Sequence, residues 1–311
     1  HFRRPSPNQL PLRGNKSQIN VLFHTLSLNN INTVIIAMLC EKRILFYSRQ
    51  MHLLTPCIES LCTLIFPFYW QHIYVPLLPS RFTDFIYAPM PFMCGILSSY
   101  LPDLSLLEGV VFVDLDENVV KYHSSDPVPK FGRISNHRDI HRLVSNPKKA
   151  VPANIQVDDQ EVRNAFLKFF AKFLKSYKIC MMPSTGPSKD KFNKHKWITD
   201  YVLNDRETDK EKDSDFLNLF IESQLFQCFI DERFDASLNM NNYEVLYFDE
   251  KIDETIHNKA TPFLLDTTFQ HNANDNYKVP IPQYSGDTIN YPTGFPLTLH
   301  AHYFRDHRGL A

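Results

Sequence analysis

The sequence has 311 residues, 43% of them hydrophobic, which is enough for one large or two ordinary packed domains and excludes a disordered chain. Its 33 basic and 34 acidic residues leave a formal charge of −1, so nothing draws the whole molecule to nucleic acid or to an anionic membrane, and any such contact needs a local patch. No apolar run approaches the roughly 20 residues of a membrane helix, and Cys40, Cys57, Cys62, Cys94, Cys180 and Cys228 form no regular framework behind a signal peptide, which points to a reducing, cytoplasmic setting.

The chain opens on His1 rather than methionine, which suggests a fragment or an incomplete gene model. His1 to Asn15, with Pro5, Pro7 and Pro11 among Arg3, Arg4 and Arg13, reads as an extended connector without a core of its own. Val21 to Leu26 is a short strand or the start of a helix, and Ser27 is placed to cap the helix that follows, whose apolar stripe is Ile31, Val34, Ile35, Met38 and Leu39.

From Ala37 to Tyr100 the apolar period changes repeatedly, giving helix, strand, helix, strand. Ile44 to Tyr47 leaves no polar alternate position, the mark of a strand buried on both faces. Thr55 and Pro56 suit a cap and a first helical residue, with Ile58, Leu61, Cys62 and Ile65 on one face and Pro67 closing the helix. Ile73 to Val75 is the next strand, expected to neighbour Ile44 to Phe46 inside the sheet with the Pro56 to Ile65 helix against both. Val110 to Val113 and Val119 to Tyr122 flank Asp116-Glu117-Asn118 as a hairpin.

Prolines, serines and charges dominate His123 to Ile155, with at most one helical turn near Asp139 to Val144, and the domain seam is placed there. Asp158 to Glu161 opens an amphipathic helix carrying Val162, Phe166, Phe169, Phe170, Phe173 and Tyr177. Pro183 to Lys189 breaks the pattern, Lys191 to Leu203 resumes it around Trp197 and Tyr201, and Asp205 to Asp215 is a solvated loop or helix start. Phe216 to Phe234 is apolar on nearly every side, so one mostly buried helix is expected. The remainder, 236–311, has little periodicity and reads as an irregular tail, within which Pro262 to Leu265 is a segment able to pack back on the helices. The fold class is α/β, a central and mostly parallel sheet flanked by helices, followed by an all-helical section and that tail.

The chemistry is negative throughout. Eight glycines, at 14, 95, 109, 132, 186, 286, 294 and 309, never cluster, so neither a Walker loop nor G-x-G-x-x-G is present, and no G-x-S-x-G elbow offers a nucleophile. Cys57 and Cys62 share one helix without a histidine between them and read as buried hydrophobes, while His300, His302 and His307 lack a completing ligand set. Phe66, Phe68, Tyr69, Trp70 and Tyr74 are not interleaved with basic residues, so core packing is preferred to base stacking. Lys189, Lys191, Lys194 and Lys196 make a local positive patch, read as a solvated face before a lipid contact. Asp114 and Asp116 are read as turn geometry before a carboxylate pair, and the Asn15-Lys16-Ser17 sequon matters only in a secreted chain.

LCEKRILFYS (Leu39 to Ser48), LLTPCIESLCTLIFPFYWQHIYVPLLP (Leu53 to Pro79) and APMPFMCGILSSYL (Ala88 to Leu101) together resemble the central section of the DENN domain family. The likeness extends upstream through LFHTLSLNNI and downstream to FLNLFIESQLFQCFIDERF (Phe216 to Phe234), which is similar to the end of that family's third section. It implies a connector at 1–15, a central α/β domain at 16–146, a downstream helical section at 156–235, and the absence of the family's amino-terminal section. In the family's pattern an acidic and basic pair recurs where Glu41, Lys42 and Arg43 stand, which implies a structural ion pair or backbone cap. The resemblance further implies a guanine nucleotide exchange factor module for a Rab-type small GTPase in membrane trafficking, one that opens switch I to release GDP, with the fragment alone weak. It implies no covalent catalysis, no cofactor, no nucleic acid and no small-molecule substrate, and a cytoplasmic location with peripheral association to vesicle or endosomal membranes. The alternative is a scaffold or regulatory subunit that binds a GTPase or trafficking partner without exchange. The candidate contact residues are the loop Trp70, Gln71 and His72 and the proline-rich segment Ala88, Pro89, Met90, Pro91 and Phe92, because a rigid, apolar, partly exposed loop is cheap to order on binding.

Overall fold

The strand Arg43–Ser48 (β1) sits at the centre of a five-stranded sheet, and everything from Ile44 to Ser48 is buried. The computed structural model describes residues 18–131, 134, 159–182, 191–204, 210–238 and 243–256. The connector at 1–15, the turn near 139–144, Lys189 and the histidines at 300, 302 and 307 lie outside them.

Two helices lead into β1. Gln18–Thr25 (α1) is followed by Leu28–Leu39 (α2), whose cap is Ser27, its side chain accepting from the Asn30 N–H at 3.4 Å. The stripe Ile31, Val34, Ile35, Met38 and Leu39 is fully buried. After β1 comes Met51–Leu64 (α3), then Ile73–Val75 (β2), Phe92–Leu97 (β3), Val110–Asp114 (β4) and Val119–Lys121 (β5). The order across the sheet is β2-β3-β1-β4-β5, with all pairs parallel except the β4–β5 hairpin.

Two expectations are corrected here. Helix α3 begins at Met51, so Pro56 lies inside it rather than at its first position, and Gln50 rather than Thr55 occupies the cap. Strands β1 and β2 are not neighbours: β3 lies between them, and β2 is a half-buried edge strand. Gly95 makes that insertion possible. A Cβ there would fall 2.1 Å from the Pro76 carbonyl oxygen, and the Leu78 N–H donates to the Gly95 carbonyl at 2.7 Å.

Side chains alternate across the sheet and build two unequal cores. Ile44, Phe46, Met93, Val111 and Val113 face the α-helices in one large core. Leu45, Tyr47, Phe92, Cys94, Ile96, Val110 and Phe112 face the other way, covered by Leu78 and Ile86 from the link before β3 and Leu107 from the link after it. The hairpin turn is closed by the Asp114 carboxylate, which accepts from the Asp116 and Glu117 N–H groups at 3.0 Å each, as turn geometry requires.

The helical section starts with Asp159–Phe173 (α4), with Asp159 and Glu161 at the positive end of its dipole and Val162, Phe166, Phe169, Phe170 and Phe173 buried. Tyr177–Cys180 (α5) and Lys194–Asn204 (α6) follow. The expected single helix at Phe216 to Phe234 is instead two, Lys210–Glu222 (α7) and Gln224–Leu238 (α8), broken at Ser223. The Ser223 hydroxyl donates to the Phe220 carbonyl at 2.6 Å and accepts from the Phe226 N–H at 3.2 Å, ending one helix and capping the next. Tyr243–Ile256 (α9) is a further helix where an irregular tail was expected: Val245, Tyr247, Phe248 and Ile252 are buried at helical spacing, and Phe248 meets Phe66 and Phe229 edge to face.

Candidate interaction surface

The link from β2 to β3 is where the chain turns apolar groups outward. Pro79 precedes the 3₁₀ segment Ser80–Tyr87, in which Ile86 alone is buried. Phe82, Phe85 and Tyr87 point to solvent, with Met90 just beyond and Leu77 just before. Phe82 and Phe85 meet edge to face at 6.0 Å, and the Arg81 guanidinium lies 5.0 Å over the Phe82 ring. On the segment that joins β3 to β4, Tyr100 and Leu106 are exposed on the same thinly covered side of the sheet, Leu106 at 68%. Arg43 ties the two stretches together by donating to the carbonyls of Ala88, at 3.4 Å, and Glu108. One sheet face is buried under helices while the links on the other carry exposed apolar side chains interspersed with Arg81, Asp84, Asp103 and Glu108, a mixed surface of a kind that meets another macromolecule.

The residues singled out from sequence enter this region from one end. Ile73 pairs with Phe92, so the loop Trp70-Gln71-His72 and the segment Ala88 to Pro91 run side by side into β2 and β3. Their exposure differs. Trp70 is half-buried, its indole N–H donating to the Ile73 carbonyl at 3.0 Å; the Gln71 side chain is exposed and donates to the Tyr69 carbonyl at 3.0 Å. His72 turns inward, its Nε2 3.1 Å from a Glu41 carboxylate oxygen. Ala88 and Pro91 are half-buried, Pro89 and Met90 are exposed, and Phe92 is a core residue. Sequence reasoning did not include Leu77, Phe82, Phe85, Tyr87, Tyr100 and Leu106. The one signal available was the segment Ser80 to Tyr87, where aromatics at 82, 85 and 87 exceed what a single buried position at Ile86 can absorb.

The other charged and aromatic residues singled out from sequence have partners within the chain. Glu41 caps a helix, Lys42 pairs with Asp126, and Arg43 binds carbonyls, as the resemblance implied. Phe66 and Phe68 are core residues, and Tyr74 donates to Glu59 at 2.6 Å. Lys191 pairs with Asp231 at 2.9 Å, Lys194 with Glu222 at 2.8 Å, and Lys196 donates to the Ile179 carbonyl at 2.8 Å, so these lysines do not form an open cationic patch. The first two pairs line a groove of about 770 Å³ together with Phe192, Ile221, Phe226 and Ile230. Burial pushes the Cys57 thiol up to about 12 and the Cys94 thiol up to about 11, so both stay protonated and unreactive. Burial, with Asp114 second, pushes the Tyr47 phenol up to about 12.

The DENN (AEX-3) domain profile matches residues 1–118 and the dDENN domain profile matches residues 189–251. The chain is 30% identical over 258 residues to DENN domain-containing protein 1A of Xenopus laevis, covering 81% of this chain and 23% of that protein. It is also 30% identical over 258 residues to DENN domain-containing protein 1B of Homo sapiens, covering 81% of this chain and 30% of that one. DENN domain-containing protein 2A of Mus musculus is 27% identical over 231 residues, 68% of this chain and 22% of its own. The chain therefore spans less than a third of the length of the relatives it matches.

Proposed function

The chain belongs to the DENN domain family, and on that premise we propose that it forms part of a guanine nucleotide exchange factor for a Rab-type small GTPase. The observation that carries the proposal is the set of exposed apolar side chains Phe82, Phe85, Tyr87 and Met90 in the link between β2 and β3. Exchange breaks no bond. A factor that binds the nucleotide-free GTPase better than the loaded one weakens nucleotide binding by the same ratio, and contact surface alone supplies that difference. This set is the contact we assign to the GTPase, with Gln71, Pro89 and Met90 at its end. Holding switch I open removes its contacts to Mg²⁺ and phosphate and frees GDP. Work of this kind belongs on the cytoplasmic side of vesicle or endosomal membranes, where the chain would associate peripherally.

The test is release of fluorescent GDP from a panel of Rabs, driven by the full-length protein and by this chain. Acceleration by the full-length protein is expected for at least one Rab, with little from the chain alone. Phe85→Ser and Met90→Ser are expected to cut that acceleration by roughly tenfold each, the worth of one large apolar side chain withheld from an interface. No acceleration of any Rab overturns the exchange reading, and binding without acceleration makes the protein a scaffold or regulatory subunit.

A further inference from the structure

Glu41 stands where a glycine or asparagine would ordinarily close a helix. Just past the carboxyl end of α2, its φ is +50°, a left-handed conformation that strains any residue with a Cβ. The Glu41 N–H donates to the Met38 carbonyl at 3.0 Å and the Lys42 N–H to that of Ala37 at 2.9 Å, so the backbone is closed as glycine would close it. The side chain explains the choice. Only 12% exposed, its carboxylate accepts from the Leu225 N–H at 2.7 Å and the Gln224 N–H at 2.9 Å, the first two donors of α8. His72 Nε2 lies 3.1 Å from the oxygen that Leu225 uses, a buried close contact without the alignment of a hydrogen bond. The strained turn before β1, the segment entering β2 and the start of a helix some 180 residues downstream therefore meet on one carboxylate.

We infer that Glu41 couples the Tyr69 to His72 segment to the helical section, so that displacement of His72 loosens the first turn of α8 and loss of that turn frees His72. Neighbouring groups leave Glu41 to this task. Lys42 is committed to Asp126, the Trp70 ring holds His72 edgewise at 5.4 Å, and Cys40 and Cys228 are thiols kept protonated chiefly by burial. Ser223 caps a different donor, that of Phe226, and does not substitute for Glu41. The effect must be reciprocal, since a coupling free energy is shared by both ends. It is a property of the chain alone and stands whether or not the exposed apolar set meets a GTPase.

Amide hydrogen exchange at Gln224 and Leu225 in the 311-residue chain tests it. Glu41→Gln is expected to speed exchange there on the order of threefold to thirtyfold, the range of a lost helix cap. His72→Ala touches neither amide, yet is expected to speed both, and to add nothing further in the Glu41→Gln background. His72→Gln, which keeps a polar side chain beside Glu41, should fall between the wild type and His72→Ala, and serves as the readout if His72→Ala does not fold. Unchanged exchange in the His72 variants, or effects that simply add in the double variant, would overturn the inference.

Discussion

At the scale of single residues, Glu41, Asp114 and Asp116 each spend a carboxylate on backbone N–H groups. Asp116 is the clearest. Its burial works to raise the carboxyl, but the Arg49 N–H at 2.7 Å, the Ser48 hydroxyl at 2.8 Å and the Arg49 guanidinium at 3.2 Å outweigh it and hold the group below the ordinary carboxylate range. A depressed folded value means that the stabilisation is present above the unfolded value of about 3.9 and is lost as pH falls through the folded one. Asp116→Asn is accordingly expected to cost about 2 kcal/mol near neutral pH, with the gap to wild type closing below about pH 4. Urea midpoints for both proteins across that range check it. The turn around Asp114 to Asn118 was legible in sequence because Asp and Asn at such spacing bond their own backbone. For Glu41 the resemblance implied an ion pair or a backbone cap, but its partners were not legible, since nothing near position 41 names the amides of Gln224 and Leu225.

At the scale of elements, β3 decides the sheet. The run Phe92 to Leu97 is as apolar as β1, and only its glycine marks the place where the β2 to β3 link must approach the strand. Gly95→Ala is expected to destabilise the fold by about 1 to 3 kcal/mol, the range for overpacking a filled site. Because the clash is with the Pro76 backbone, 2.1 Å from the added carbon, β2 should give way first. Faster amide exchange in 73–78 than in β1 or β4 would show this, and equal exchange throughout would contradict it. The break at Ser223 teaches the same lesson from the other side. Apolar residues on every side of Phe216 to Phe234 describe burial correctly but carry no phase, so two helices packed at an angle look like one. The helix α9 was missed because its apolar positions alternate with acidic residues and follow a polar stretch, and its partner α4 lies far upstream in sequence.

At the scale of the molecule, the α/β section and the helical section share one core. Phe68, just past α3, is 1% exposed, and its ring lies 5.5 Å from Phe170, 5.3 Å from Phe220 and 5.1 Å from Phe229. Phe68→Ala removes the common member of three aromatic contacts and is expected to cost about 3 to 5 kcal/mol. The two tryptophans, Trp70 in one section and Trp197 in the other, report on each half separately. Their unfolding transitions are expected to coincide in wild type, and separate midpoints would show that the sections stand alone. The same asymmetry that buries one sheet face under helices leaves Phe82, Phe85 and Met90 exposed in the links on the other.

Periodicity and turn chemistry by themselves determined that the chain is α/β and then helical, and that Phe66 and Phe68 belong to the core. These are local properties, written within a few residues of where they act. Strand order, the split at Ser223, the docking of Tyr243–Ile256 and the outward turn of Phe82 and Phe85 were decided only in three dimensions. Each depends on which distant surface is left to cover an apolar side chain or to accept a backbone N–H, and a linear sequence does not state that.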